Sequence, residues 1–298
     1  MKYTFQQFQA EFPDDGTCLD RIMQERHGGT QITCPGCGAD SKFSRIAKRR
    51  AYACQWCGHH IYPCAGSIFE KSTTPLTKWF FAMYLFTSTR HGVAAKELQR
   101  QLGVTYKCAW RMASELRKLM ASADFHGPMG GHVEIDETRV GGKFRRPRFQ
   151  KPRAGSRSKN SAIVFGMLQR DGIVRAGLIP NTQQETLEEI ILTNVQRGST
   201  VSTNEHVGYY NLRQAPYNHG TVNHSIDEWV KGIHHTNTIE GHWAQLKRSI
   251  RGTHVHVSKK HLWKYVSEFS YRRNMRHSHS AMFSRLVEAF SQRRLQAG

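Results

Sequence analysis

Between Pro75 and Met120 apolar residues recur at the three-to-four spacing of helices with one buried face. Trp79, Phe80, Phe81, Met83, Tyr84, Leu85 and Phe86 make a first apolar stretch. Ala95, Leu98 and Leu102 then line one face, which stops at Gly103. With Thr105 as N-cap, Ala109, Met112, Ala113, Leu116 and Met120 line the inner face of the next helix. Two helices joined by a short glycine-containing turn predict a helix-turn-helix-like segment over 73–125. Its second helix is expected to expose Lys107, Arg111, Arg117 and Lys118.

Beyond residue 130 the period drops to two, the alternation of a strand with two different faces. In His132–Thr138, Val133 and Ile135 point one way and Glu134 and Asp136 the other. Ala162–Gln169 and Ile173–Pro180 flank Arg170-Asp171-Gly172, which predicts a hairpin. An amphipathic helix over Glu185–Val195 and a short strand over Ser199–Thr203 follow. A fifth strand fits the Thr-Val-Asn-His segment after Gly220, and helical patterns cover Thr236–Ile250 and Lys259–Met275. The order β-β-β-α-β-β-α-α is that of the ribonuclease-H-like fold, so the expected class is α/β. In that fold, carboxylates from the first strand, the fourth strand and a later helix converge on two divalent metals for phosphodiester chemistry. Asp136 fits the first position and Glu240 the third. Asn204, an amide, stands at the second.

Four of the seven cysteines form two Cys-x-x-Cys knuckles, Cys34/Cys37 and Cys54/Cys57, each followed by glycine. Two thiolates three apart on a tight turn reach one ion, and two such turns close a tetrahedral four-thiolate site. A structural Zn²⁺ is therefore expected, holding a zinc ribbon too small for a core of its own. Cys18, Cys64 and Cys108 read as buried small hydrophobes.

The chain of 298 residues carries a formal net charge of +20, which points to a polyanionic partner, usually nucleic acid. The excess is uneven. Arg139–Lys159 holds nine basic residues and no acid, and 231–298 carries 13 basic residues against 3 acidic. Residues 161–230 are slightly acidic. Candidate DNA contacts are Lys107, Arg111, Lys143, Arg145, Arg146, Lys247, Arg248, Arg251, Lys259 and Lys260, which would neutralise phosphates. No apolar run is long enough for a membrane helix, and the first residues lack the apolar core of a signal peptide. A cytoplasmic, nucleoid-associated protein is the expectation. The expected layout is an N-terminal helical segment (1–30), the zinc ribbon (31–72), the helix-turn-helix-like segment (73–125), the catalytic domain with basic loop 139–159 (126–280), and a basic tail (281–298).

Particular strings then matter: CPGCG and CQWCGHH; KWFFAMYLF with KELQRQLGVTYKCAWRM; IDETRVGGK; GSTVSTNE; and HHTNTIEGHWAQLKRSIRGTHVHVSKKHLWKYVSEFSYRRN. Through these, residues 10–276 resemble bacterial insertion-sequence transposases of the DDE type, insertion sequence family 1595, relatives of the eukaryotic Merlin elements. The resemblance implies binding of double-stranded terminal inverted repeats, cleavage at the ends and joining of the 3′-OH to target DNA with Mg²⁺ or Mn²⁺. It implies at least a homodimer, since two ends must meet. It makes Asp136 the first metal ligand and places Asn204 where the family has its second Asp. Asn237 or Glu240 supplies the third, with Lys247 seven residues beyond Glu240. His235, Trp243 and Arg251 become plausible substrate contacts. Asn204 departs from the pattern, so little or no strand transfer is expected. Arg139, where the family has Tyr, also departs. The alternative reading is a non-catalytic DNA-binding protein derived from a transposase. A ribonuclease-H-like nuclease or resolvase would share the metal site, but two DNA-binding segments ahead of it favour the transposase.

Overall fold

The computed structural model describes residues 3–124, 127–141 and 161–291. Lys143, Arg145, Arg146 and most of the basic loop 139–159 lie outside the described residues. The chain divides into two compact units, Met1–Ala123 with His277–Gly298, and Asp124–Arg276.

In the first unit, α1 (Phe5–Glu11) opens with a Thr4/Gln7 capping box. α2 (Asp15–His27) is capped by Asp14, whose carboxylate accepts from Thr17 N at 2.7 Å, and ends at Gly28 in the left-handed region. The ribbon follows as β1 (Gln31–Thr33), β2 (Asp40–Arg45), β3 (Tyr52–Cys54) and β4 (His60–Ile61), an antiparallel meander in chain order. Phe43 and Tyr52 are buried on it, while Lys42 and Arg45 are exposed. Three further helices, α3 (Leu76–Ser88), α4 (Ala95–Leu102) and α5 (Tyr106–Ala123), occupy the segment read as helical. Asp15 reaches across 62 residues to the N-terminus of α3, accepting from Leu76 N and Thr77 N at 2.9 Å each. Burial pushes its carboxyl up, but those donors outweigh burial and hold it below the usual range. The turn between α4 and α5 runs through Gly103 at φ 58°, and Thr105 Oγ1 accepts from Cys108 N at 3.3 Å.

Two expectations need correction here. Arg117 is buried, not exposed: it donates to Val93 O at 3.0 Å and lies 5.1 Å from the Phe86 ring centroid. The long side chain covers an aromatic face while its head meets a carbonyl. The helix α9 (His279–Ser291) takes in residues 281–291 of the segment expected to be a basic tail. Met282, Phe283, Leu286, Val287 and Phe290 of α9 are buried with α2, α3 and α5, Phe290 lying 5.2 Å edge-on to Phe69. An apolar residue every three to four positions makes this a core helix despite its flanking arginines.

The second unit is a five-stranded sheet of order β7-β6-β5-β8-β9. Its strands are β5 (His132–Val140), β6 (Ala162–Gln169), β7 (Val174–Ile179), β8 (Thr200–Asn204) and β9 (Asn218–Val222). β5, β6 and β7 run antiparallel, and β8 and β9 run parallel to β5. The β6–β7 turn has Asp171 at φ 56°. α6 (Gln184–Asn194) packs on one face with Val133, Ile135, Phe165 and Met167. On the other face α7 (Asn237–Ser249) and α8 (Lys259–Asn274) bury Ile239, Trp243, Leu246 and Phe269 against Val164, Leu168 and Val174. The alternation along β5 thus sends Val133 and Ile135 into the α6 layer and turns Glu134 and Asp136 toward α7. Gly166, the register partner of Asp136, is what lets α7 come close: a Cβ there would sit 2.5 Å from the Trp243 ring. Among the described residues no helix is long and apolar enough to cross a membrane.

Candidate functional site

Two sites stand out. In the ribbon, the sulfurs of Cys34, Cys37, Cys54 and Cys57 all lie within 4.8 Å of one another, with Cys34–Cys57 at 3.7 Å and Cys37–Cys54 at 4.0 Å. Tetrahedral sulfurs at Zn–S of about 2.3 Å stand about 3.8 Å apart, so the four thiols fit one zinc. Each knuckle closes with a glycine amide on the first cysteine's carbonyl, Gly38 at φ 73° and Gly58 at φ 71°. Burial pushes the Cys54 thiol up, but the Cys57 and Trp56 amides and the Ser41 hydroxyl overcome it and bring the thiol down to about 6. Cys18 and Cys64 are buried apart from this group, and burial raises them to about 12 and about 11.

In the second unit, β5, the end of β8 and the first turn of α7 bring Asp136, Asn204 and Glu240 toward one another. Asp136 Oδ2 accepts from Trp243 Nε1 at 3.0 Å, and Oδ1 accepts from Asn204 Nδ2 at 3.2 Å. Asn204 Oδ1 accepts from His206 N at 3.1 Å, which fixes which end of the amide faces Asp136. Glu240 accepts from Thr236 Oγ1 at 2.8 Å and lies 3.3 Å from His224 Nε2. Burial raises the Asp136 carboxyl to about 7, with the charges of Glu137 and Glu240 adding to it and the Trp243 N–H opposing. Lys247 is half-buried. Burial and Arg251 lower its pKa, while the Asp136 charge supports its protonated form.

The other expected residues divide by environment. Asn237 is exposed at the first position of α7, whereas the charge of Glu240 reaches Asp136. Trp243 is buried and holds Asp136, and His235 Nδ1 lies 3.2 Å from Glu134, so both side chains belong to the packing of the site. Lys107, Arg111, Arg248, Arg251, Lys259 and Lys260 are exposed, and Arg111 reaches Glu70 O at 3.4 Å. Glu205 accepts a hydrogen bond from the Ser225 hydroxyl.

The residue that sequence reasoning passed over is Glu134. It is fully buried and accepts from Thr238 N at 2.9 Å, Ile239 N at 3.0 Å, Thr238 Oγ1 at 2.9 Å and Arg170 Nε at 2.8 Å. It caps the N-terminus of α7 from a neighbouring strand, satisfying two amides that no helical carbonyl can reach. Arg170 continues the network to His132 Nδ1 at 3.0 Å, Ile233 O at 2.8 Å and His235 O at 3.2 Å. Ser202 Oγ bridges His132 at 2.7 Å and His234 at 2.9 Å. The available hint was an acidic residue two before Asp136 on the same strand face.

This arrangement can be set beside known families. The ISXO2-like transposase domain matches residues 128–274, nearly the whole second unit, and the transposase zinc-ribbon domain matches residues 13–60. The chain belongs to the IS1595 transposase family. It is also similar to a protein of transposable element ISH50 from Halobacterium salinarum, 29% identical over 257 residues, covering 82% of this chain and 86% of the relative. Neither domain match covers α3, α4 or α5. The IS1595 zinc ribbon together with the four converging cysteines supports a structural Zn²⁺.

Two outcomes follow for this IS1595 fold. Glu134→Ala leaves the Arg170 guanidinium and two α7 amides without their buried acceptor and is expected to cost about 3–5 kcal/mol in urea unfolding. Glu134→Gln, which retains acceptors, costs less. The second outcome concerns pH. Burial holds His132, His219 and His242 low, at about 4, about 4 and about 3, with Arg170, Arg213 and Arg273 adding to it respectively. The unfolded chain takes up protons at about 6.5, so these three withdraw stability as pH falls from there toward 4. Asp136, raised to about 7, works in the opposite sense over the same window, but as one group against three. The urea midpoint is expected to fall on acidification, and less steeply in His242→Asn.

Proposed function

We propose that this IS1595-family chain binds the double-stranded ends of its element through the zinc ribbon, the helix-turn-helix-like segment and the basic surfaces around α7 and α8. In this reading its ancestral chemistry, end cleavage and 3′-OH transfer at two metals, is crippled by Asn204. The element order and the sheet order β7-β6-β5-β8-β9 support a ribonuclease-H-like fold for the second unit. The charge of +20, with exposed Lys107, Arg248, Arg251, Lys259 and Lys260, supports a polyanionic partner. Lys107 and Arg111 lie near the start of α5, the part of a recognition helix that meets base edges. Two ends must be held together, so a homodimer or larger assembly belongs to this reading, as does a cytoplasmic, nucleoid-associated location.

One observation carries the loss of chemistry: the Asn204 amide turns its N–H₂ toward Asp136 and its oxygen to His206 N. A cation shared between positions 136 and 204 needs an oxygen from each. Here the facing atom is a donor, and the other Asp136 oxygen is held by Trp243. The residues present do not fit a pair of Mg²⁺ or Mn²⁺ ions. The Asn204–Asp136 hydrogen bond instead supports the second reading, a DNA-binding protein derived from a transposase.

The test is cleavage and joining of duplexes taken from the DNA flanking the coding region, with Mn²⁺, by the chain as it stands and by Asn204→Asp. Restored Lewis-acid stabilisation is worth several kcal/mol, so Asn204→Asp is expected to gain at least about 100-fold. The same variant places two carboxylates side by side and should lose thermal stability that Mg²⁺ or Mn²⁺ restores. Equal, robust turnover by both proteins would overturn the proposal.

A further inference from the structure

The connection between α7 and α8 contains a strained stretch of backbone outside glycine. α7 runs into a π-helical turn, Ile250–His254, a geometry that accommodates an extra residue and recurs at functional sites. Val255 follows at φ 61°, ψ −53°, and His256 N donates to His254 O at 2.6 Å. This is a γ-turn of the rare positive-φ kind, centred on a β-branched residue, which that region disfavours most. Such strain persists only where the surroundings over-determine it. They do here: Ile250 and Val257 are buried in the sheet–helix core on either side, and the His254 ring lies 4.7 Å edge-on to Tyr265.

What the strained turn does with its side chain is present it outward. Val255 is 67% exposed, so packing does not account for it. Arg251 in the same connection and Lys259 and Lys260 at the start of α8 are exposed, and no acidic residue occurs between Glu240 and Glu268. An apolar tip rigidly held among cations matches duplex DNA: phosphates for the cations, and a base step for the tip. Proteins that insert an apolar side chain between base pairs unstack the step and bend the duplex.

We propose that the Val255 turn is a wedge that enters a base step of bound duplex DNA, with Arg251, Lys259 and Lys260 seating the flanking phosphates. The inference rests on the DNA-binding reading above but does not depend on whether Asn204 has abolished the chemistry. The wedge distorts the duplex next to the end of α7, the helix that carries Glu240.

The test uses the full chain. Duplexes of generic sequence, and duplexes from the DNA flanking the coding region, carry 2-aminopurine at successive steps. Binding is read by anisotropy and unstacking by the rise in 2-aminopurine fluorescence. The wild-type chain is expected to unstack at least one step. Val255→Gly removes the tip while relieving the positive φ, so its melting temperature should be unchanged or higher. It should bind within about threefold of wild type yet lose the fluorescence rise, because affinity comes from the phosphates. Arg251→Glu with Lys259→Glu should weaken binding more than about tenfold and flatten its salt dependence. Binding without unstacking by the wild type, or undiminished unstacking by Val255→Gly, overturns the wedge alone. Absence of binding to any duplex at low salt overturns the DNA-binding reading and the wedge with it.

Discussion

The second unit depends on the Glu134 carboxylate, buried between β5 and α7 and shared among two helix amides, a threonine hydroxyl and Arg170. A carboxylate at a helix N-terminus is favoured by the helix dipole and by donors with no partner of their own. Here it comes from the strand that also carries Asp136, two residues on. One strand thereby grips α7 twice, through Glu134 at its first turn and through Asp136 at Trp243. The position of Glu240 relative to Asp136 follows from that double grip. Arg170 extends it through His132 and Ser202 to His234, so the segment entering α7 is tied to the sheet as well.

Around this frame the electrostatics have two signs. The site is enriched in acid: burial and the charges of Glu137 and Glu240 raise Asp136, and an amide rather than a third carboxylate stands beside it. The exposed end of α7, the turn after it and the start of α8 are basic. A polyanion meeting those cations would be brought close to an acidic cluster that repels it unless something neutralises the carboxylates. In this chain the Asn204 N–H₂ donates a hydrogen bond to Asp136, at 3.2 Å.

Much of the secondary structure was legible because it is local. Alternation marked β5, and the Asp171 turn between β6 and β7 lies where the hairpin was expected. Helical periodicity marked α4 and α5, with Thr105 taking up the amide of Cys108. Reading failed where a long side chain or a distant contact decides. Arg117 looked like an exposed cation because charge alone cannot show that a carbonyl and an aromatic face await it. The segment from 281 looked like a basic tail because its arginines drew more notice than Phe283, Leu286 and Phe290, which join the first unit's core. Of the candidate site, Asp136, Asn204 and Glu240 were picked out by order and spacing. Glu134 was not, because the α7 amides it caps lie more than a hundred residues away.

By itself, the sequence determined the zinc ribbon's ligands, since two Cys-x-x-Cys turns carry their own geometry, and the uncharged amide at position 204, since composition needs no fold. Only the tertiary structure decided which end of that amide faces Asp136, because His206 N must be in place to claim the oxygen. Only it decided that α7 is capped by Glu134, that Gly166 makes room for Trp243, and that Val255 stands exposed on a strained turn. In each case the deciding partner is brought close, or the side chain left bare, by packing between segments far apart in the chain.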